Sequence, residues 1–144
     1  EHRDLLTDYF IEGLEGGKNF SSTDLYNAHS RMNRWTAYMR ELLTGYDLLM
    51  TPSLATTAFP VGEHPAQIDG RDVPHKLWGF TPFTYPFNMS GHPAASAPAG
   101  WSTGGLPYGL QIVGRYGDEE TVLAAAAAFE EASPWADSKP AMAV

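Results

Sequence analysis

Apolar residues recur at helical spacing from the start of the chain: Leu5, Leu6, Tyr9, Phe10 and Leu14 fall on one stripe, and Gly16-Gly17 supply a stop. This predicts a helix over 2–14. A second stripe is longer. Leu25, Ala28, Met32, Trp35, Met39 and Leu42 follow at steps of three and four, behind the N-cap candidates Ser21 and Ser22 and ahead of Gly45. The pattern predicts a long amphipathic helix, with Arg31, Arg34 and Arg40 off the stripe on a solvated face.

The period then changes. "YDLLMTP" is a short apolar run closed by Pro52, which predicts a buried strand over 46–51. Residues 53–81 carry Pro60, Pro65 and Pro74 and no sustained period, so they read as a long irregular stretch of the kind that covers functional sites. Two further strands are predicted over 94–97 and 108–113, joined in hairpin fashion through Gly104-Gly105 and Pro107. Asp118 is a good N-cap, with Glu119 and Glu120 in the first turn, for a last helix that packs through Val122, Ala126 and Phe129 and ends at Ser133-Pro134. With no repeat and no linker, the chain reads as a helical segment (1–45), a part with strands, long loop and closing helix (46–133), and a tail (134–144). That order predicts an α/β layer arrangement. Three strands are few for a sheet flanked by helices. Strands reading apolar on both faces, with open edges, call for cover from elsewhere, so a sheet-edge homodimer is expected of the folded chain.

Composition narrows the partners. At 144 residues with 43% hydrophobic and 18% charged residues, the chain is long enough for one core and is poor in charge, not disordered. A net charge of -8 with scattered Lys and Arg argues against nucleic acid and against an anionic membrane, and leaves a small neutral or cationic ligand. No apolar run reaches membrane-spanning length and no signal peptide is recognisable. The absence of cysteine excludes disulfides and fits a reducing, cytoplasmic compartment. The opening "EHRDLL", without an initiator Met, suggests a fragment or processed form.

Chemical motifs are scarce. The histidines at 2, 29, 64, 75 and 92 show no metal-ligand spacing, so no metal site is expected, and His92 between Gly91 and Pro93 reads as structural. Ser90, Ser96 and Ser102 lack the Gly-x-Ser-x-Gly context of a nucleophile elbow. "GWSTGG" lacks the order of a phosphate-binding loop and reads as a turn. The aromatic cluster Trp78, Phe80, Phe83, Tyr85 and Phe87 suits either a core plug under the loop or a pocket wall.

Taken together, "YDLLMTPSLATTAFPVG", "FTYPFNMSGHPAASAPAG", "GLPYGLQIVGR" and the helix start "DEETVL" resemble the C-terminal portion of the amidase signature family, over most of the chain from about Asp24 onward. The resemblance implies a mixed-sheet sandwich flanked by helices, and an enzyme that hydrolyses carboxamides through a serine, a second serine at a cis peptide bond and a lysine, without a cofactor. Those groups lie in the N-terminal part of such chains. Lys18, Lys76 and Lys139 stand in unrelated contexts and no Gly-Gly-Ser-Ser-Gly-like run occurs, so no catalytic residue is carried over and the chain alone is expected to be inactive. By the same resemblance Trp78, Thr81, Phe83, Tyr85 and Phe87 stand nearest a small-molecule amide substrate, while Asn88, Gly91, Pro93, Gly109 and Gln111 shape the backbone around the cleft, with Pro86, Pro98 and Gly100. Asn88 is expected to tie its turn through side-chain to backbone hydrogen bonds. Related tRNA amidotransferases carry an aspartate where Thr81 stands, to meet a substrate ammonium. A neutral Thr81 points to an apolar or aromatic carboxamide instead. The alternative is a non-catalytic α/β binding or interaction module that keeps the same scaffold.

Overall fold

The computed structural model describes residues 2–73, 75 and 78–138. Lys76, Lys139 and Pro74 lie outside the described residues, as does the end of the expected tail. The chain divides into two compact units, 1–35 and 36–144.

In the first unit a 3-10 turn, Arg3–Leu5, precedes helix α1, Asp8–Gly17. The single helix expected over 2–14 is therefore broken. Leu6 and Thr7 are extended, and the helix restarts where the carboxylate of Asp8 meets the positive end of the new helix dipole. Glu15 pairs with both Lys18 and Arg3, which lowers its pKa, but all three side chains are solvent-exposed and such pairs stabilise little. Helix α2, Ser22–Leu42, starts on a reciprocal cap. The Asp24 amide donates to Ser21 Oγ at 3.2 Å, and the Asp24 carboxylate accepts from the Ser21 amide at 2.9 Å and from its hydroxyl at 2.6 Å. These bonds hold the Asp24 carboxyl below the usual aspartate range.

From Thr36 onward α2 belongs to the second unit, where Met39 and Leu43 are buried. There the order is β1 (Leu48–Pro52), β2 (Gln67–Ile68), β3 (Arg71–Asp72), α3 (Tyr85–Ser90), β4 (Ala94–Trp101), β5 (Pro107–Gly114) and α4 (Glu119–Ala132). β5 is central in a three-stranded sheet of order β1-β5-β4, antiparallel at both junctions. A bulge between Pro98 and Gly100 interrupts β4, an edge strand, which is where a strand tolerates proline. The Asp118 side chain caps α4 by accepting from the Thr121 amide at 3.2 Å, and Val122 packs onto Gly114.

Two expectations need correction. The stretch 53–81 is not wholly irregular, because β2 and β3 form a small hairpin through Asp69-Gly70, both at positive φ (50° and 69°). The strands are not apolar on both faces, since directly opposed residues share a face and one such row is Thr51, Gln111 and Ser96. Beside the sheet, Pro134, Trp135 and Ser138 line, with Pro98, Trp101 and Pro107, a cavity of about 390 Å³. The buried apolar residues are Met39, Leu43, Phe87, Ala97, Ile112, Val113 and Val122 among those described, all in the second unit.

Candidate functional site

The polar row on the sheet is the floor of the site. Thr51, Gln111 and Ser96 stand in register across β1, β5 and β4. Just past β1, the Ser53 amide donates to the Gly109 carbonyl at 2.9 Å, and the hydroxyls of Ser53 and Ser96 hydrogen-bond at 2.6 Å across the central strand. A Cβ at residue 109 would lie 2.7 Å from both hydroxyl oxygens. Glycine is thus the residue that lets the two outer strands be bridged over β5.

Residues 78–91 are tied to this floor at Phe83 and to the segment after β1 at Phe80. The Ala55 amide donates to the Phe80 carbonyl at 3.1 Å, and Gln111 Nε2 donates to the Phe83 carbonyl at 2.6 Å and to Thr51 Oγ1 at 2.9 Å. Within the segment the Thr81 hydroxyl donates to the Trp78 carbonyl and the Thr84 hydroxyl to the Thr81 carbonyl. The short helix α3 carries Pro86 in its first turn, where the missing N–H is no loss. It ends at Gly91, left-handed at φ 71°, whose amide donates to the Phe87 carbonyl at 2.8 Å.

This geometry separates the aromatic cluster. Phe87 is buried and Phe80 stands edge-on to Phe59 with centroids 5.0 Å apart, whereas Trp78 is 57% exposed and Tyr85 is also exposed. Phe83 and Thr81 are half-buried. Phe83 is the member joined directly to the sheet, through its carbonyl. Pro93 receives the Gly114 amide on its carbonyl at 3.0 Å. Asn88 is exposed on α3, and the turn after it is closed by Gly91.

Sequence reasoning missed the Ser90–His92 pair. Ser90 Oγ and His92 Nδ1 are hydrogen-bonded at 2.8 Å, the contact most like a nucleophile and its base. Both residues are buried, Ser90 at 3% and His92 at 5% exposure, so the pair is closed to solvent. Tyr116 packs edge-on against His92, and the Arg40 guanidinium lies over the Tyr116 ring, 4.1 Å from its centroid. Burial first, and the Arg40 charge second, lower the His92 pKa, and its Nε2 has no hydrogen-bond partner among the described residues. Arg115 was also overlooked: it donates to the Leu43 carbonyl just past α2 at 3.0 Å and pairs with Asp47 at 2.8 Å. The motif "GLQIVGR" held the signal, a cation that can reach the carbonyl end of a helix. On the floor itself no base is hydrogen-bonded to a serine among the described residues, because Ser53 and Ser96 bond to each other.

Comparison with known proteins gives a consistent picture. The amidase family profile matches residues 4–123. The chain is similar to the acylamidase of Rhodococcus erythropolis, 36% identical over 96% of this chain and 29% of the relative. It is also similar to a glutamyl-tRNA(Gln) amidotransferase subunit of Granulibacter bethesdensis, 46% identical over 65% of this chain and 17% of that relative. Among solved structures, a bacterial aryl acylamidase of the amidase signature enzymes superposes with a TM-score of 0.80 at 34% identity, covering 94% of this chain and 28% of its own. The 6-aminohexanoate cyclic dimer hydrolase superposes at 0.75 with 28% identity, covering 94% and 29%. The chain spans under a third of the length of these relatives.

Proposed function

Because the chain belongs to the amidase family, we propose that it is the C-terminal scaffold and substrate-cleft portion of an amidase that hydrolyses carboxamide C–N bonds. The serine nucleophile, the second serine at a cis peptide bond and the lysine lie outside this chain, in a catalytic half that is its first partner. Residues 1–45, 46–133 and 134–144 are then successive parts of one amidase signature domain, working in the cytoplasm on a small-molecule amide.

The observation that supports this reading is the segment 78–91 tied through the Phe83 carbonyl to a polar sheet floor on which, among the described residues, no base is hydrogen-bonded to a serine. Trp78, Thr81, Phe83, Tyr85 and Phe87 form the wall nearest the acyl group, with Asn88, Gly91, Pro93, Gly109 and Gln111 shaping the backbone behind them. Thr81 offers no charge to a substrate ammonium, so the enzyme prefers a neutral apolar or aromatic carboxamide to glutamine.

Purified 144-residue chain and the full-length gene product, assayed side by side on aryl, aliphatic and glutamine amides, test the reading. The full-length protein is expected to turn over aryl amides fastest, and the chain to give background rates. Turnover by the chain that persists after Ser90, Ser96 and Ser102 are replaced contradicts the proposal. A full-length protein that binds amides without hydrolysing them favours a binding module.

A further inference from the structure

Gln111 is the least exposed polar side chain on the sheet floor, 4% accessible, and it lies at the middle of the central strand. Its Nε2 donates both hydrogens within the site, one to Thr51 Oγ1 at 2.9 Å and one to the Phe83 carbonyl at 2.6 Å. The other hydrogen bonds of residues 78–84 are short-range, such as those from Thr81 to Trp78 and from Thr84 to Thr81, apart from the Ala55 amide on the Phe80 carbonyl. Local bonds of that kind fix the shape of a turn but not its height above a sheet. Among the described residues two long-range ties hold the segment, and of these the one from Gln111 reaches the aromatic residue next to α3.

The geometry points to Gln111 as the positioning residue that sets how far Phe83 stands above the polar floor, and through it which acyl groups the cleft admits. This inference rests on the reading of residues 78–87 as the acyl wall. Gln111 touches no substrate in this account. It acts through a backbone carbonyl, so the side chain at 83 can vary while the tie remains. The Gln111 amide is buried, so breaking this bond is also costly, because the freed donor is left without a partner.

Two readouts separate the tie from the wall. Gln111→Glu keeps the size of the side chain, removes both donors and sets a carboxylate against the Phe83 carbonyl. Thr51→Val removes one acceptor and leaves the bond to Phe83. In the 144-residue chain, hydrogen exchange of amides in 78–91 is expected to quicken roughly fivefold in Gln111→Glu, the loss of one net hydrogen bond, with α4 unchanged and Thr51→Val close to the unmutated chain. In the full-length protein, Gln111→Glu is expected to raise KM for bulky aryl-acyl amides several-fold more than KM for an acetyl amide. Exchange in 78–91 that does not respond overturns the inference. Exchange that quickens with no change in acyl selectivity leaves the tie standing and overturns the acyl-wall reading. If Gln111→Glu does not fold, Gln111→Asn, which keeps the donors but is one methylene too short for both acceptors, decides by the same exchange measurement.

Discussion

At the scale of single residues, close approach and burial outweigh the residue types that first draw attention. Gly109 is one glycine among 14 in the sequence, yet it is the one over which two serine hydroxyls meet. Gly109→Ala sets a methyl group 2.7 Å from both oxygens, and the Ser53–Ser96 bond must break or β5 must shift. A loss of about 1 to 3 kcal/mol is expected in urea unfolding, and a change under about 0.5 kcal/mol, the size of an ordinary surface effect, means that the bridge is not rigid. His92 makes a different prediction. Its folded-state pKa lies below the ordinary 6.5 because burial disfavours the imidazolium. Above that pH both folded and unfolded chains hold it neutral; as pH falls below 6.5 the unfolded chain takes up a proton that the folded chain refuses, so stability falls. Unfolding midpoints measured from about pH 7 to about pH 5 should drop, and should drop less in His92→Gln. Equal slopes in the two proteins would show that other groups carry the acid sensitivity. Thr81→Asp, in the full-length protein, should raise kcat/KM for amides bearing an α-ammonium group by roughly tenfold relative to neutral analogues, the size of one modest charge-assisted bond.

At the scale of elements, periodic segments were legible and contact-dependent ones were not. α2, α4, β1, β4 and β5 follow from stripe, cap and turn signals in Leu25 to Leu42, Asp118, Pro52 and Gly104-Gly105, with ends displaced by at most four residues. The break at Leu6-Thr7 was hidden because the stripe continues across it. The hairpin at Asp69-Gly70 was legible in principle, since Asp-Gly between two extended residues is a two-residue turn signal, but strands of two residues leave no alternation to notice. α3 was unreadable for another reason: six residues contain too few turns to show a period, and the helix depends on Pro86 at its start and Gly91 at its end. Of the candidate site, the aromatic run and Gln111 were visible in the sequence, while the Ser53–Ser96 bridge and the Ser90–His92 pair depend on which strand lies beside which. The cap of α4 gives a direct check on element stability. Asp118→Ala removes the acceptor of the Thr121 amide and should cost about 1 kcal/mol, read from the denaturation midpoint.

At the scale of the molecule, the three-stranded sheet of the second unit has two edges that no strand pairs with among the described residues. β1 and β4 are the edges of the three-stranded sheet among the described residues, and Met50, Leu54, Trp101 and Tyr108 on or beside them are exposed. Open edges favour pairing with another strand, so the isolated chain should self-associate at micromolar concentration, most simply as a two-fold dimer. Sedimentation equilibrium over a concentration series checks this; a monodisperse monomer with one cooperative unfolding transition would show that the chain closes its own core. The proposed division between this scaffold and a catalytic half rests on the chemistry of the described residues, where the sheet floor supplies hydroxyls and an amide and the serine-histidine contact at Ser90 and His92 is buried. The most direct test of that division is covalent labelling of the full-length protein with a fluorophosphonate probe, followed by mapping of the modified peptide. A single adduct on a serine outside these 144 residues is the predicted result, and an adduct on Ser53, Ser90 or Ser96 would contradict the account.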